Sequence, residues 1–584
     1  MTVEKLAPPL AAAYERFVQE GRRRAPLRRP AGMMGLVSVE QRAKPVRVVV
    51  SVECDPDAPP VGTDGTEINE GGRSVRTGIV PLDALEKLAS QPGVRRIVPA
   101  SRLHPCLDLA QAKVGVPEFR ARLDRTGDGV LVGVVDTGIF LGHTEFSGRV
   151  DRIWDQTLPG NGVLEGGYGA EFTDLAPGEE ILSQDVEGHG THVAGIAAGT
   201  EGVAPGARIV AVKTDFQDAH IIDGIQYVFR LADERNMPAV VNLSLGGHSD
   251  PHDGTDVMSL AIEEESGPGR IVCCAAGNEG EDDIHARLEV AEGATLSVPC
   301  HPGRIDGHPD LFWLNGWYAG GDRLDVAVAS PSGDSTAFQP VLTSGSPVRQ
   351  YDLADGVVQI VTPGPDAANG DHNFFVAVEP TSSAPTVAAP RWRLVLRGRS
   401  VNGQSCRADV WILGGQEAQP QAQFSGPAVH DALKIGSPGA ATSAITVAAS
   451  TTRTRWRDID GAERLATWLV ADDIAGFSSE GPRRDGMPKP DVTAPGAMIV
   501  SALSRDAVGL QRALMIDGHH LALQGTSMAC PFITGLVALL LEGDPSADPA
   551  KIRSFLTAAA AVPGEAPGFF DPKWGHGLVD ASLL

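Results

Sequence analysis

The run from Met528 to Leu541 constrains the fold more than any other stretch of this chain. Phe532, Ile533, Leu536, Leu539 and Leu540 recur at the three-to-four spacing of a helix with one buried face. Gly525-Thr-Ser-Met-Ala-Cys-Pro531 sets Ser527 at the mouth of that helix, with Pro531 in its first turn. Backbone N–H groups at a helix start are unpaired and carry the positive end of the dipole, so an anion forming beside Ser527 is stabilised. Acyl transfer needs such a place. A Gly-Thr-Ser that only caps a helix is the commoner meaning of this segment, so the reading depends on partners for Ser527 elsewhere.

Two clusters supply them. Gly129-Val-Leu-Val-Gly-Val-Val-Asp-Thr-Gly138 reads as a buried strand ending in the carboxylate of Asp136. Gly188-His-Gly-Thr-His-Val-Ala-Gly195 opens a helix so rich in Gly and Ala that another backbone must pack against it, with His189 at its start. A serine hydroxyl is a poor nucleophile until a base takes its proton, and the base needs a carboxylate to fix its tautomer. Asp136, His189 and Ser527 fill those three roles. Competing chemistries lack their parts. An aspartic dyad needs a second Asp-Thr-Gly or Asp-Ser-Gly, and zinc sites of the His-Glu-x-x-His or Cys-x-x-Cys kind are absent. An esterase elbow would need Gly-x-Ser-x-Gly, from which Gly525-Thr-Ser-Met-Ala departs. His192 and His143 read as packed structural histidines. Asn278, alone, would read as an amide closing a turn.

Here the chain resembles the subtilisin-like serine proteases, the subtilase family, over roughly residues 107 to 280 and 431 to 584. The order Asp, His, Ser is that of subtilisin. Further matches are Val241-Asn-Leu-Ser-Leu-Gly-Gly247, Ala275-Ala-Gly-Asn-Glu-Gly280, Phe477-Ser-Ser-Glu-Gly-Pro482 and Lys489-Pro-Asp-Val-Thr-Ala-Pro-Gly496. The resemblance implies that Asn278 is the oxyanion-hole side chain. It also implies that Ser244, Leu245 and Gly246 form the edge that pairs with substrate backbone, with Gly277 beside them. The reaction it implies is serine endopeptidase hydrolysis of peptide or protein substrates through an acyl-enzyme. An inactive protease fold used as a binding or scaffold protein stays open as the second function. Cys530, three residues past Ser527, is expected to inhibit when modified, if its thiol is accessible.

The core alternates strand and helix as a doubly wound parallel α/β sheet does. Strands are expected at 130–135, 208–213, 239–244, 270–276 and 444–449, and helices near 189–199, 218–235, 255–266 and 527–541. Residues 1–35 form an extension, of which 1–24 read as a charged amphipathic helix ending at Arg22, Arg23 and Arg24. Residues 36–105 read as an α+β unit, with strands at Arg47–Glu53 and Val94–Pro99 and a helix from Pro81 to Ser90. That unit resembles the subtilase propeptide, with removal expected between Pro99 and Gln111; a permanent accessory domain is the alternative. Residues 106–280 and 431–584 are the two parts of the catalytic domain. Between them, 281–430 carry short alternating segments at Leu324–Ala329, Phe374–Val378, Trp392–Leu396 and Ala408–Leu413, divided by Gly, Pro and Ser, which read as an inserted β-sandwich of jelly-roll type. In simple subtilases this interval holds a pocket wall, so side-chain preference is not legible.

A net charge of −25 argues against nucleic acid and anionic lipid as partners. No run of 18 apolar residues appears, so no membrane span is expected. Seven cysteines, odd in number and including the adjacent Cys273 and Cys274, speak against a disulfide framework. The amino terminus lacks a signal-peptide pattern, which points to a cytoplasmic or non-classically exported protein, with secretion as the alternative. No cofactor or metal is assigned. The calcium loop of simple subtilisins is missing after His189, and the acidic segment Asp250 to Asp256 reads as a solvated turn ahead of a cation site. Oligomeric state is not legible.

Overall fold

The computed structural model describes residues 5–7, 10–11, 14, 38–39, 47–56, 58–69, 72–99, 104–105 and 111–584, apart from 177–178, 343–345, 382–390 and 415–419. The helix expected over 1–24 and the processing segment between Pro99 and Gln111 therefore fall largely outside the described residues. The chain divides into two compact units, one of residues 102–247, 252–281 and 432–584, the other of 1–101, 248–251 and 282–431.

The first unit is built on a ten-stranded sheet. Its order is Ala560–Ala561, Leu578–Val579, Val492–Ala497, Ile445–Thr451, Arg270–Ala275, Ala239–Leu243, Leu131–Asp136, Arg208–Lys213, Val150–Asp155, Ala170–Phe172. Pairing is parallel except at the two outermost strands. A parallel sheet is covered on both faces, so its strands are apolar throughout rather than alternating; Leu131–Asp136 is buried at every position. Two long members escaped the sequence pattern. Val150–Asp155 is interrupted by Asp151 and Arg152, and Val492–Ala497 contains Pro495 and Gly496, which are poor strand residues.

The four expected helices are present as His189–Ala198, Asp218–Arg235, Val257–Glu265 and Thr526–Gly543. Val116–Leu123 and Pro549–Ala558 are additional. The serine helix Thr526–Gly543 was expected to bury one face; instead every residue from Thr526 to Leu541 is buried. Sheet strands cover it on one side and the histidine helix His189–Ala198 approaches on another. A Cβ at Gly535 would lie 2.8 Å from the Ala197 carbonyl oxygen. By length and hydropathy this helix would also cross a bilayer, but 89% of it lies inside the protein.

In the second unit, Arg47–Cys54 pairs antiparallel with Val75–Pro81 and with Val94–Pro99. The accompanying α-helix is only Leu85–Ala89. Residues 282–431 contribute a six-stranded and a four-stranded antiparallel sheet. Phe312, Leu314, Phe374 and Val376 of the larger sheet and Val326, Val328, Leu394 and Leu396 of the smaller meet in one buried cluster. Alternation along each strand produces this, since successive side chains point to opposite faces.

Candidate active site

Asp136 ends the central strand and His189 begins the helix that follows it in space. Their separation depends on a missing side chain: a Cβ at Gly190 would lie 2.2 Å from the Gly138 carbonyl oxygen and 3.1 Å from the Asp136 Cβ. Only glycine lets the helix start come this close. As a result His189 Nδ1 lies 2.5 Å from Asp136 Oδ1, which also accepts the Thr137 N–H at 2.7 Å. Asp136 Oδ2 is buried without a partner among the described residues.

A second carboxylate, which the sequence reading did not single out, locks the two elements together. Asp185 is fully buried. Its Oδ1 accepts the Thr137 hydroxyl at 2.7 Å and the Gly188 N–H at 2.9 Å, while Oδ2 accepts the Thr191 N–H and hydroxyl at 2.8 and 2.5 Å. The Thr137 hydroxyl in turn accepts the Gly190 N–H at 2.8 Å. Asp185 thus spends all its acceptors on the backbone and threonines around His189, as a positioning residue. Its position three residues before Gly188 was the available signal, because a carboxylate near a helix start finds unpaired N–H groups.

Ser527 is the second residue of its helix, after Gly525, whose φ of 151° suits glycine. Its hydroxyl is buried and has no hydrogen-bond partner among the described residues. The backbone carbonyl of Ser527 would ordinarily bond the N–H four residues on, but that residue is Pro531, which has none. Ser244 fills the gap, donating its hydroxyl to the Ser527 carbonyl at 2.7 Å. A relay stands behind it: Thr534 Oγ1 donates to Asn242 Oδ1 at 2.9 Å, and Asn242 Nδ2 donates to Ser244 Oγ at 2.8 Å. The Ser244 side chain is therefore committed to the serine helix and not to an open edge.

Asn278 caps the same helix. Its Oδ1 accepts the Thr526 N–H at 2.9 Å and the Thr526 hydroxyl at 3.1 Å, which leaves the Nδ2 hydrogens as its remaining donors, with no protein acceptor among the described residues. Gly277 exchanges hydrogen bonds with Thr526 Oγ1 at 3.1 Å through both N–H and carbonyl. The carbonyls of Glu279 and Gly280 accept from Lys434 Nζ at 3.1 and 3.0 Å, a fully buried cation. Leu245 and Gly246 form a short strand, and the chain's own His104–Pro105 pairs with it antiparallel.

His192 is fully buried, with Nε2 3.2 Å from the Leu521 carbonyl, and burial pushes its pKa down to about 3, so it is a neutral core residue. His143 is likewise packed, with Nε2 2.9 Å from the His519 carbonyl, and burial lowers its pKa. Cys530 is fully buried and burial holds its thiol far above the usual range, so the expected inhibition by a bulky reagent lacks an accessible thiol. The other described cysteines are also free and buried. The acidic segment is not a solvated turn: Asp250 and Asp253 are buried, Asp253 pairs with Arg484, and Asp256 caps Val257–Glu265.

An α/β sheet that carries Asp136, His189 and Ser527 at strand ends and helix starts, with the Asn278 amide beside the serine helix, presents the residue types of an Asp-His-Ser triad. The sequence model of the subtilase family, Peptidase_S8, matches residues 127–305 and 407–577, and the chain belongs to that family. Serine protease AprX of Bacillus subtilis is 34% identical over 134 residues, 23% of this chain and 27% of that protein. Pyrolysin of Pyrococcus furiosus is 28% identical over 292 residues, 46% of this chain and 18% of its own length. The chain thus spans about a quarter or less of these two curated relatives. The solved structure of the Clostridium perfringens CspB protease superposes with a TM-score of 0.65 at 23% identity, over 81% of this chain and 96% of that one, which establishes a shared fold.

Proposed function

We propose that the chain is a serine endopeptidase. The observation that carries this reading is the Asp136–His189 contact of 2.5 Å, together with a Ser527 hydroxyl left without a protein partner at a helix start. In this reading His189 takes the Ser527 proton as the hydroxyl attacks a peptide carbonyl. Asp136 holds Nδ1 of the imidazole and stabilises the imidazolium that forms. The oxyanion develops beside the amino-terminal end of the serine helix, where Nδ2 of Asn278 supplies a donor pre-oriented by Thr526. His189 then returns the proton to the leaving amine, and water repeats the sequence on the acyl-enzyme.

A peptide substrate is supported by the edge Leu245–Gly246. It already accepts an extended stretch of this chain as an antiparallel neighbour, and main-chain pairing of this kind recognises peptides with little regard to side chain. Buried free cysteines support a reducing compartment. A fluorophosphonate probe tests the proposal. Labelling that disappears in Ser527→Ala, with parallel loss of peptide hydrolysis, is the expected result. Intact Ser527 that neither labels nor cleaves would favour the scaffold function.

A further inference from the structure

The smaller, four-stranded sheet of residues 282–431 turns one face into the core it shares with the larger sheet. Along Trp392–Ser400, Trp392, Leu394 and Leu396 lie in that buried cluster, so Arg393, Val395, Arg397 and Arg399 point outward by the two-residue period of a strand. Arg391, exposed just before the strand, continues the row. The register sets small or neutral residues on either side. Ser297 stands opposite Val395 and Pro299 opposite Arg393 on one neighbour, Ala327 opposite Val395 and Ala329 opposite Arg393 on the other. The acidic side chain at an outward position of these strands is Asp325, and it is already shared, 2.6 Å from Arg397 and 3.6 Å from Arg399. The Arg397 guanidinium also lies over the Phe338 ring, 4.0 Å from its centroid. Arg391 donates to the Ser425 hydroxyl at 2.9 Å, and Arg393 has no partner among the described residues. His301 shares the Ser425 hydroxyl. Burial, and then Arg391 beside it, hold its imidazole below the usual pKa, so it adds no charge at neutral pH.

The chain as a whole carries a charge of −25. A row of four guanidiniums with one shared carboxylate runs against that balance and complements an anionic partner. We propose that this face docks an acidic, extended segment of another protein. Alternate residues of two extended chains have the same spacing, about 6.6–6.8 Å, so carboxylates at every second position meet Arg391, Arg393, Arg397 and Arg399, with an apolar residue over Val395. Each guanidinium offers a carboxylate two parallel donors, and arginine clusters recognise acidic motifs in this way. Nucleic acid fits this face less well. Its floor is Ser, Pro and Ala, and Phe338 is covered by Arg397, so bases gain no stacking platform. The net charge of the chain also repels a long polyanion.

The test uses the full chain carrying Ser527→Ala, so that no peptide is cleaved and the result is independent of whether the chain is a peptidase. A fluorescent Glu-Ala-Glu-Ala-Val-Ala-Glu-Ala-Glu peptide, titrated by anisotropy in about 50 mM salt, should bind, and raising the salt tenfold should weaken it. Arg393→Glu should weaken binding at least about fivefold, and Arg393→Lys by less. Arg393 is exposed and unpaired, so neither change disturbs the fold. Arg455→Glu, at an exposed strand position in the other unit, should leave the affinity unchanged. No binding by the parent would overturn the proposal, as would an equal loss in Arg455→Glu. Tighter binding of oligothymidylate or of phosphatidylserine vesicles, lost in Arg393→Glu, would also overturn it and assign the row to nucleic acid or to lipid.

Discussion

Asp136 with His189 and Asp409 with His285 are both buried carboxylate–imidazole pairs, 2.5 and 3.2 Å apart, in different units of the molecule. Their surroundings separate them. Asp409 also takes Arg287 at 2.8 Å and Arg407 at 3.0 Å. Burial alone would raise its pKa, but His285 and Arg287 outweigh it and hold the carboxyl at about 2. His285 is saturated as well, with Nδ1 3.1 Å from the His430 carbonyl and its ring stacked on Trp411 at 4.8 Å. Asp136 meets no guanidinium and keeps one buried oxygen unpartnered among the described residues, in the same unit as a serine hydroxyl in the same condition. The lesson is that an Asp–His pair is not by itself a catalytic signature. A pair whose hydrogen-bonding capacity is exhausted clamps a sheet, and one with capacity in reserve can do chemistry.

The hardest test of that contrast is activity. Ser527→Ala and His189→Ala should each lower kcat on the order of 10⁶-fold, a magnitude carried over from subtilisin. His285→Ala, measured on the same peptide, should leave kcat within about threefold while the protein unfolds more easily. Comparable activity losses in His189→Ala and His285→Ala would erase the distinction. Asp409→Ala should destabilise by about 3–5 kcal/mol in denaturant titrations, because Arg287 and Arg407 lose their counter-charge and His285 loses its carboxylate partner, again with kcat little changed. A cost below 1 kcal/mol would mean that solvent already shares that site.

Asn278→Ala sharpens the comparison from the other side. Loss of its Nδ2 donor should reduce kcat roughly 10²–10³-fold with KM nearly constant, again by analogy with subtilisin. A pure KM effect would instead assign Asn278 to ground-state binding.

The smallest effect is a pH slope. His192 has a folded pKa of about 3 against about 6.5 when unfolded, so between these values the unfolded chain binds a proton that the native state refuses. Stability therefore falls with pH by about 1.4 kcal/mol per unit from this residue, beginning near pH 6.5. The Asp409 contribution is fully present above about pH 4 and is lost only as pH falls toward 2. Denaturant midpoints from pH 7 to pH 4 should show a flatter slope in His192→Gln and an unchanged one in Asp409→Asn. Identical slopes in wild type and His192→Gln would mean that His192 is not held neutral.

Much of the core was legible because its strands and helices are long and either uniformly apolar or strongly periodic. Arg208–Lys213 and Arg270–Ala275 fall within a residue of expectation, and Asp218–Arg235 carries its pattern over the full helix. Val492–Ala497 was missed because Pro495 and Gly496 are strand-poor, and only its neighbours Ile445–Thr451 and Leu578–Val579 compel it to pair. In residues 282–431 the expected segments near 324, 374, 392 and 408 are strands. Val348–Leu353 carries only Val348, Tyr351 and Leu353 as apolar residues, with Arg349, Gln350 and Asp352 exposed between them, so it has no period-two pattern to read.

Asp136, His189, Ser527 and Asn278 could be named from sequence because each sits in a short motif at the end of a local element, where backbone geometry dictates which side chains are presented. Nothing local in the sequence revealed that Ser244 donates to the Ser527 carbonyl 283 residues away, that Asp185 spans Thr137 and Thr191, or that Lys434 holds the carbonyls of Glu279 and Gly280. Nor did it place the outer face of the six-stranded 282–431 sheet in one core with the amino-terminal strands. Local chemistry is written in spacing, which a chain carries wherever it goes. Long-range partnership depends on which buried polar or apolar surface remains unsatisfied once the elements have packed, and that is decided only in three dimensions.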